Sequence, residues 1–170
     1  MPNKLFGSPG LAVVGSYGFY EIFSGCRGLT ALPSGLFQNV TGNGSSLFGY
    51  AFYGCRGLTA IPKDLFAGIT VGRTSMFVST FENCTGLNTT ISNKLFGSIT
   101  TNTTSAPSLF QNTFKGCENL HDIEEKFFSS VTNAANSMFR STFENSGLKR
   151  IPKNLFGGVV TLNANATSLF

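Results

Sequence analysis

Four cysteines are the side chains best suited to metal or redox chemistry in this sequence. Cys26, Cys55, Cys84 and Cys117 are spaced by 29, 29 and 33 residues. A zinc site favours converging pairs such as Cys-x-x-Cys, which this spacing does not provide. Were the four to lie on adjacent rungs ~5 Å apart, disulfides would fall inside the permitted Cα separation of about 4.4–6.8 Å. On an apolar face, however, cysteine is more often a small buried hydrophobe. A reduced, packed ladder is the leading reading, with disulfides and metal binding as the alternatives.

The single histidine, His121, sits beside Asp122, Glu124 and Glu125 and close to Glu118. Half of the eight acidic residues fall in this stretch, which would suit calcium or general acid–base chemistry; with no second ligand cluster, a charged, solvated strand-and-turn segment is the leading reading. No Ser-His-Asp pattern, paired-carboxylate motif or phosphate loop accompanies it, and Gly42-Asn43-Gly44 reads as a plain loop. The expectation is a non-enzymatic chain with no cofactor. Lys4, Lys63, Lys94, Lys126 and Lys153 recur at similar points. Stacked in a row they could engage a polyanion such as a sulfated glycan, or stand solvated beside Asp64 and Glu125. Asn39, Asn43, Asn83, Asn88, Asn102 and Asn165 match Asn-x-Ser/Thr, as chance allows in so Asn- and Thr-rich a chain.

The element that must position these groups is a repeat. Phe6, Phe37, Phe66, Phe96, Phe128 and Phe156 recur at intervals of 31, 29, 30, 32 and 28. A second column holds Phe19, Phe48, Phe77, Phe110, Phe139 and Phe170, and a third Phe23, Phe52, Phe81, Phe114 and Phe143. These take 17 of the 18 phenylalanines; the last, Phe127, fills the leucine slot beside Phe128. A fixed period of this length is the signature of a solenoid, in which each unit contacts only its neighbours.

Phe77, Phe81 and Cys84 lie at i, i+4 and i+7, which predicts one face of a short helix. Ser46, Ser75, Ser108, Ser137 and Ser168 stand where an N-cap belongs, and Gly28, Gly57 and Gly86 where a left-handed C-cap belongs. Leu29–Leu32, Leu58–Ile61, Leu120–Ile123 and Leu148–Ile151 then read as one short parallel strand per unit. Pro33, Pro62 and Pro152 suit the first position of a second short helix carrying Leu65, Phe66 and Ile69. The predicted fold is an α/β solenoid, leucine-rich-repeat-like. About 5.5 repeats of 28–33 residues would each carry one short parallel strand and two short helices.

Variation between copies locates candidate binding positions. The spacing from the first phenylalanine column to the second is 13, 11, 11, 14, 11 and 14, so length differences gather in one polar loop, for instance Thr100 to Pro107. Two positions inside Leu-x-x-Ile also change identity, and they define a candidate ligand row of Thr30, Thr59, Asn88, His121, Asp122, Lys149 and Arg150. The row is equally readable as ordinary solvated surface.

The phrase Phe-x-x-Cys-x-Gly-Leu-Thr-x-Ile-Pro, Phe52 to Pro62, resembles the BspA-like leucine-rich repeats of bacterial surface proteins. Val131-Thr132-Asn133 leading to Ser137-Met138-Phe139 is similar to related lipoprotein repeats. The resemblance covers nearly the whole chain. It implies an exported solenoid used for adhesion or for binding proteins or glycans of a host or neighbouring cell. Its departure is that Pro-x-x-Leu-Phe stands where family members often carry a second Ile-x-Ile-Pro phrase.

Composition fits an exterior setting. Only 12% of residues are charged, about half the usual share, and the net charge of +4 is too scattered for a nucleic-acid footprint. No apolar run approaches the ~20 residues of a membrane-spanning helix. Met1-Pro2-Asn3-Lys4-Leu5-Phe6 and Ser168-Leu169-Phe170 both fall within a unit, so residues 1–170 read as one segment of a longer array without its caps. The expected location is extracellular, on a cell or virion surface. The expected function is a binding or adhesion module, with a structural spacer, filament or virion-shaft component as the alternative.

Overall fold

The structure, a computed structural model, describes Phe6 and residues 14–101, 106–159 and 161–162. Lys4, Leu5, Asn102, Asn165, Ser168, Leu169, Phe170, half of the loop 100–107 and most of the loop 161–167 lie outside the described residues.

The three phenylalanine columns are three internal stacks. Phe37, Phe66, Phe96, Phe128 and Phe156 follow one another at 6.2, 5.9, 6.2 and 5.8 Å. Phe19, Phe48, Phe77, Phe110 and Phe139 do so at 5.4, 5.6, 5.8 and 5.7 Å. Phe23, Phe52, Phe81, Phe114 and Phe143 do so at 5.4, 5.2, 5.6 and 5.6 Å. Within each column the rings are within 14° of parallel, while rings of different columns meet tilted or edge-on, for example Phe66 on Phe77 at 4.9 Å and 58°. Both are favoured aromatic geometries. Leu36, Leu65, Leu95, Leu109 and Met138 fill in between, and Phe127 takes its place among them edge-on to Phe96. The chain is a solenoid whose core is one continuous apolar rod.

The local path around each coil differs from the sequence-based expectation. Among the described residues there is no helix. The segments expected to be the first helix are runs of turns in which hydrogen bonds alternate. Gly49, Ala51, Tyr53 and Cys55 donate to carbonyls three residues back, at 3.0–3.1 Å. Phe48, Tyr50 and Phe52 instead donate to Met76, Val78 and Thr80 of the next coil, each at 2.9 Å. Phe77, Ser79 and Phe81 repeat this onto Leu109, Gln111 and Thr113 at 2.9–3.0 Å.

Every fourth residue takes a left-handed conformation, at Ser46, Tyr50 and Gly54 and again at Ser75, Ser79 and Asn83, with φ between 52° and 66°. Ser46, Ser75, Ser108 and Ser137 are therefore left-handed turn residues rather than N-caps. A four-residue period places apolar side chains at i and i+4 just as a helix does, which is why the pattern alone does not separate the two. Composition favours the turn run: Gly49, Tyr50 and Gly54, or Val78, Ser79 and Thr80, are weak helix formers, and a helix this short is marginal alone. Bonding half of the N–H groups along the solenoid axis lets coils support one another. The second expected helix is likewise a turn run, with Leu65, Ala67 and Ile69 donating to Pro62, Asp64 and Phe66 at 2.9–3.1 Å.

Strand pairing is also displaced. β1 (Asn133–Ala134) pairs in parallel with β2 (Thr161–Leu162), and Val71 bridges Thr100. All three lie in the segment expected to be a polar loop. In Leu-x-x-Ile the described ladder is the bridge between Ile91 and Ile123 plus single bonds such as Thr59 N to Thr30 O at 3.2 Å. The glycine column has a different role from the expected cap. Gly28, Gly57 and Gly86 are not left-handed; a Cβ on Gly57 would run into the Arg27 carbonyl, and one on Gly86 into that of Arg56. Glycine at these two positions lets successive coils approach.

Candidate functional site

The three central segments of the candidate row bury their first apolar residue, Leu58, Leu87 or Leu120, while Leu29 and Leu148 are partly buried; the position after each leucine is exposed. Thr30, Thr59 and Asn88 are exposed and joined backbone to backbone, Thr59 N to Thr30 O and Asn88 N to Thr59 O, both at 3.2 Å. Threonine hydroxyls reinforce the row: Thr59 Oγ1 donates to Thr30 O at 3.3 Å and Thr89 Oγ1 to Thr59 O at 3.4 Å. The row then changes chemistry. Exposed His121 lies 3.5 Å from Gly147 O, and Arg150 clamps half-buried Asp122, Nη2 lying 2.9 and 3.1 Å from its two carboxylate oxygens. Lys149 beside it is exposed. The Arg150–Asp122 pair is largely solvated and worth about 0–1 kcal/mol, so it shapes the surface more than it stabilises the fold. A cleft of about 750 Å³ opens beside Lys149 and Arg150, with Phe143, Leu148 and Ile151 in its walls.

The acidic stretch around His121 does not converge. Asp122 faces Arg150, while Glu124 Oε2 accepts from Ser92 Oγ at 3.0 Å and from Asn93 N at 2.9 Å. Among the described residues no three His, Cys, Asp or Glu side chains gather as metal ligands would.

The cysteines are free thiols. Cys55, Cys84 and Cys117 are buried, and each Sγ donates to a carbonyl one coil earlier, Phe23, Phe52 and Phe81, at 3.0, 3.0 and 3.1 Å. Burial pushes the Cys55 thiol up to about 11 and that of Cys117 to about 12, and raises Cys84 as well. These are structural thiols, poor nucleophiles at neutral pH. Cys26, in the first described coil, is exposed. Phe23, Phe52, Phe81, Phe114 and Phe143 form one stacked column; its three central rings are fully buried and Phe23 and Phe143 are partly so.

Two features went unmarked in the sequence reading. Thr80, Thr113 and Thr142 are buried, and their hydroxyls donate to Phe48, Phe77 and Phe110 carbonyls, each at 2.9 Å. Their position directly before the third phenylalanine column was the available signal. The four tyrosines, Tyr17, Tyr20, Tyr50 and Tyr53, form one surface cluster with ring spacings of 5.5–5.8 Å, and Tyr53 Oη accepts from Asn83 Nδ2 at 3.3 Å. Their restriction to two coils, three residues apart in each, was legible. Of the Asn-x-Ser/Thr sites, Asn39, Asn43 and Asn88 are exposed.

No protein-family model matches the chain, and no curated protein matches it in sequence. Three solved structures are similar in part. A leucine-rich cell surface protein from Faecalibacterium prausnitzii overlaps 86% of this chain at 22% identity, with a TM-score of 0.45. A leucine-rich repeat protein from Bacteroides ovatus overlaps 91% at 18% identity and 0.35, and the T. pallidum leucine-rich repeat protein 96% at 19% and 0.36. The chain spans 31% and 41% of the first two proteins' lengths and 67% of the third's. The solenoid assignment rests on this chain's own stacked rings and axial hydrogen bonds.

Proposed function

We propose that the chain is a non-enzymatic, leucine-rich-repeat-like binding module, displayed outside the cell or on a virion. Its partner would be a protein or glycan of a host or neighbouring cell surface, engaged through Thr30, Thr59, Asn88, His121, Asp122, Lys149 and Arg150. The observation that supports this most is the exposed row itself. It crosses consecutive coils on a rigid backbone and passes from neutral hydroxyl and amide groups to charged ones. Residues held on a stiff scaffold bind with little ordering cost, which is how repeat modules commonly recognise macromolecules.

The test is adhesion of beads carrying the chain to immobilised matrix proteins and to a glycan array. A variant with His121→Ser, Lys149→Ser and Arg150→Ser should lose a bound partner about tenfold or more, as expected when charged contacts at an interface are removed. If the full chain binds nothing, or the variant and replacements of the loops 100–107 and 161–167 leave every interaction unchanged, the spacer reading takes its place. The uninterrupted phenylalanine stacks, which give a stiff rod whatever its surface carries, favour that second reading.

A further inference from the structure

We propose a second site, an anion-binding cleft for a linear sulfated polysaccharide, formed by Lys63, Lys94 and Lys126 on three consecutive coils. The cleft encloses about 510 Å³, and Asn93, Ser98 and Ser129 also line it. The turn that opens each Leu-Phe pair carries one of these lysines, while the pairs themselves, Leu65-Phe66, Leu95-Phe96 and Phe127-Phe128, are buried. The ring column beneath fixes the coil spacing at 5.9–6.2 Å. Three exposed lysines thus stand on consecutive coils, Lys94 and Lys126 directly before their pairs and Lys63 one residue further back.

Three observations separate this cleft from ordinary solvated charge. The turn does not need lysine: the preceding coil has Ser34 and Gly35 at the same two positions, and Leu36 and Phe37 there are fully buried. In the lining of the cleft one carboxylate, Asp64, stands against three lysines, and no ion pair joins it to any of them. Asp64 Oδ2 accepts from Ser34 Oγ at 2.9 Å, and Glu124 is held by Ser92 and Asn93. Among the described residues the ion pairs are Lys115–Glu144 and Arg150–Asp122, and neither involves the cleft. Three ammonium groups against one lining carboxylate leave a local excess of positive charge, which a bound polyanion would offset.

The chemistry favours a polysaccharide. Lysine binds sulfate or carboxylate as a point charge without a fixed orientation, and Asn93, Ser98 and Ser129 offer hydrogen bonds to sugar hydroxyls. No aromatic side chain lines the cleft for a nucleobase to stack on. Lys126 N donates to Lys153 O at 3.2 Å, so a fourth lysine continues the line on the next coil.

The experiment measures binding of the whole chain to immobilised heparin across a salt series, with desulfated heparin, single-stranded DNA and phosphatidylserine vesicles in parallel. Heparin should bind, weaken as salt rises, and bind about tenfold or more weakly to a Lys63→Ser, Lys94→Ser, Lys126→Ser variant whose salt slope is reduced by roughly two. An Arg27→Ser, Arg56→Ser, Arg140→Ser variant, which loses the same charge from exposed positions elsewhere, should bind as the parent does, and both must unfold at the parent's urea midpoint. No heparin binding, equal loss in the two variants, or desulfated heparin binding as well as heparin overturns the site. DNA or vesicles binding as tightly as heparin overturns the polysaccharide assignment. Because the cleft lies outside the Thr30–Arg150 row, a row variant that still binds heparin separates the two proposals.

Discussion

Replacing Phe81 with alanine should damage the fold more than any comparable change near an end of the described stack. Phe81 is fully buried and lies between Phe52 at 5.2 Å and Phe114 at 5.6 Å, both nearly parallel, with Phe66 tilted against it at 6.3 Å. Truncation removes the ring's burial and leaves a void that adjacent coils, tied by axial hydrogen bonds, cannot close. A fully buried phenylalanine cut to alanine costs about 3–5 kcal/mol. Phe143, in the same column, is partly buried and stacks on Phe114 alone within it, at 5.6 Å. Its truncation should cost roughly half as much, in proportion to the burial lost. Urea titration followed by tyrosine fluorescence gives both values, since the chain has four tyrosines and no tryptophan. Phe81→Leu, which keeps most of the volume, serves if the alanine variant does not fold. A Phe81→Ala cost below about 1 kcal/mol, or one equal to that of Phe143→Ala, would refute the stacked-column reasoning.

Four further expectations rest on particular atoms. Gly86→Ala should destabilise by about 1–3 kcal/mol because its Cβ meets the Arg56 and Leu58 carbonyls, whereas Gly28→Ala meets nothing within 4 Å and should be neutral or stabilising by up to about 1 kcal/mol; thermal melts of both variants compare them. In native protein a thiol reagent should label Cys26 and spare Cys55, Cys84 and Cys117, and all four should react in denaturant. Because the buried thiols titrate above their ordinary value, their protonated form belongs to the fold; stability should hold below about pH 9 and fall as pH rises toward about 11–12, as urea midpoints across that range would report. Thr113→Val removes a buried hydroxyl that donates to Phe77 O at 2.9 Å and reaches Phe110 O at 2.8 Å, and should cost about 1 kcal/mol by urea unfolding.

The features legible in the sequence were those that recur once per coil. Phenylalanine columns can be read from spacing because stacking demands one ring per rung, and the burial of Cys55, Cys84 and Cys117 follows from their place beside those rings. The backbone path was not legible from the same pattern. An i, i+4 repeat fits a helix and a four-residue turn run alike, and what separates them is where Phe48 and Phe52 send their N–H groups. Gly57 and Gly86 looked like left-handed caps because glycine serves both that role and close coil approach, and only the position of the Arg27 and Arg56 carbonyls decides. Parallel pairing near Thr100 and Asn133 was hidden by polar composition: Thr101 and Asn133 join side chain to backbone, Asn133 Nδ2 to Thr101 O at 2.6 Å and Thr101 Oγ1 to Asn133 O at 3.0 Å. The candidate row was drawn from the change of residue identity inside Leu-x-x-Ile between copies, which marks variable positions and says nothing of what they contact. The lysine cleft needed coordinates, because only they show that Asp64, which lines it, bonds Ser34 rather than pairing with a lysine.

The most direct test of coils bonded to one another, rather than helices closed on themselves, is a through-hydrogen-bond NMR coupling at the Phe81 amide. The coil-to-coil ladder predicts a coupling between Phe81 N and the carbonyl carbon of Thr113, whose oxygen lies 2.9 Å away. A coupling to the carbonyl carbon of Phe77, four residues back as in an α-helix, would contradict it.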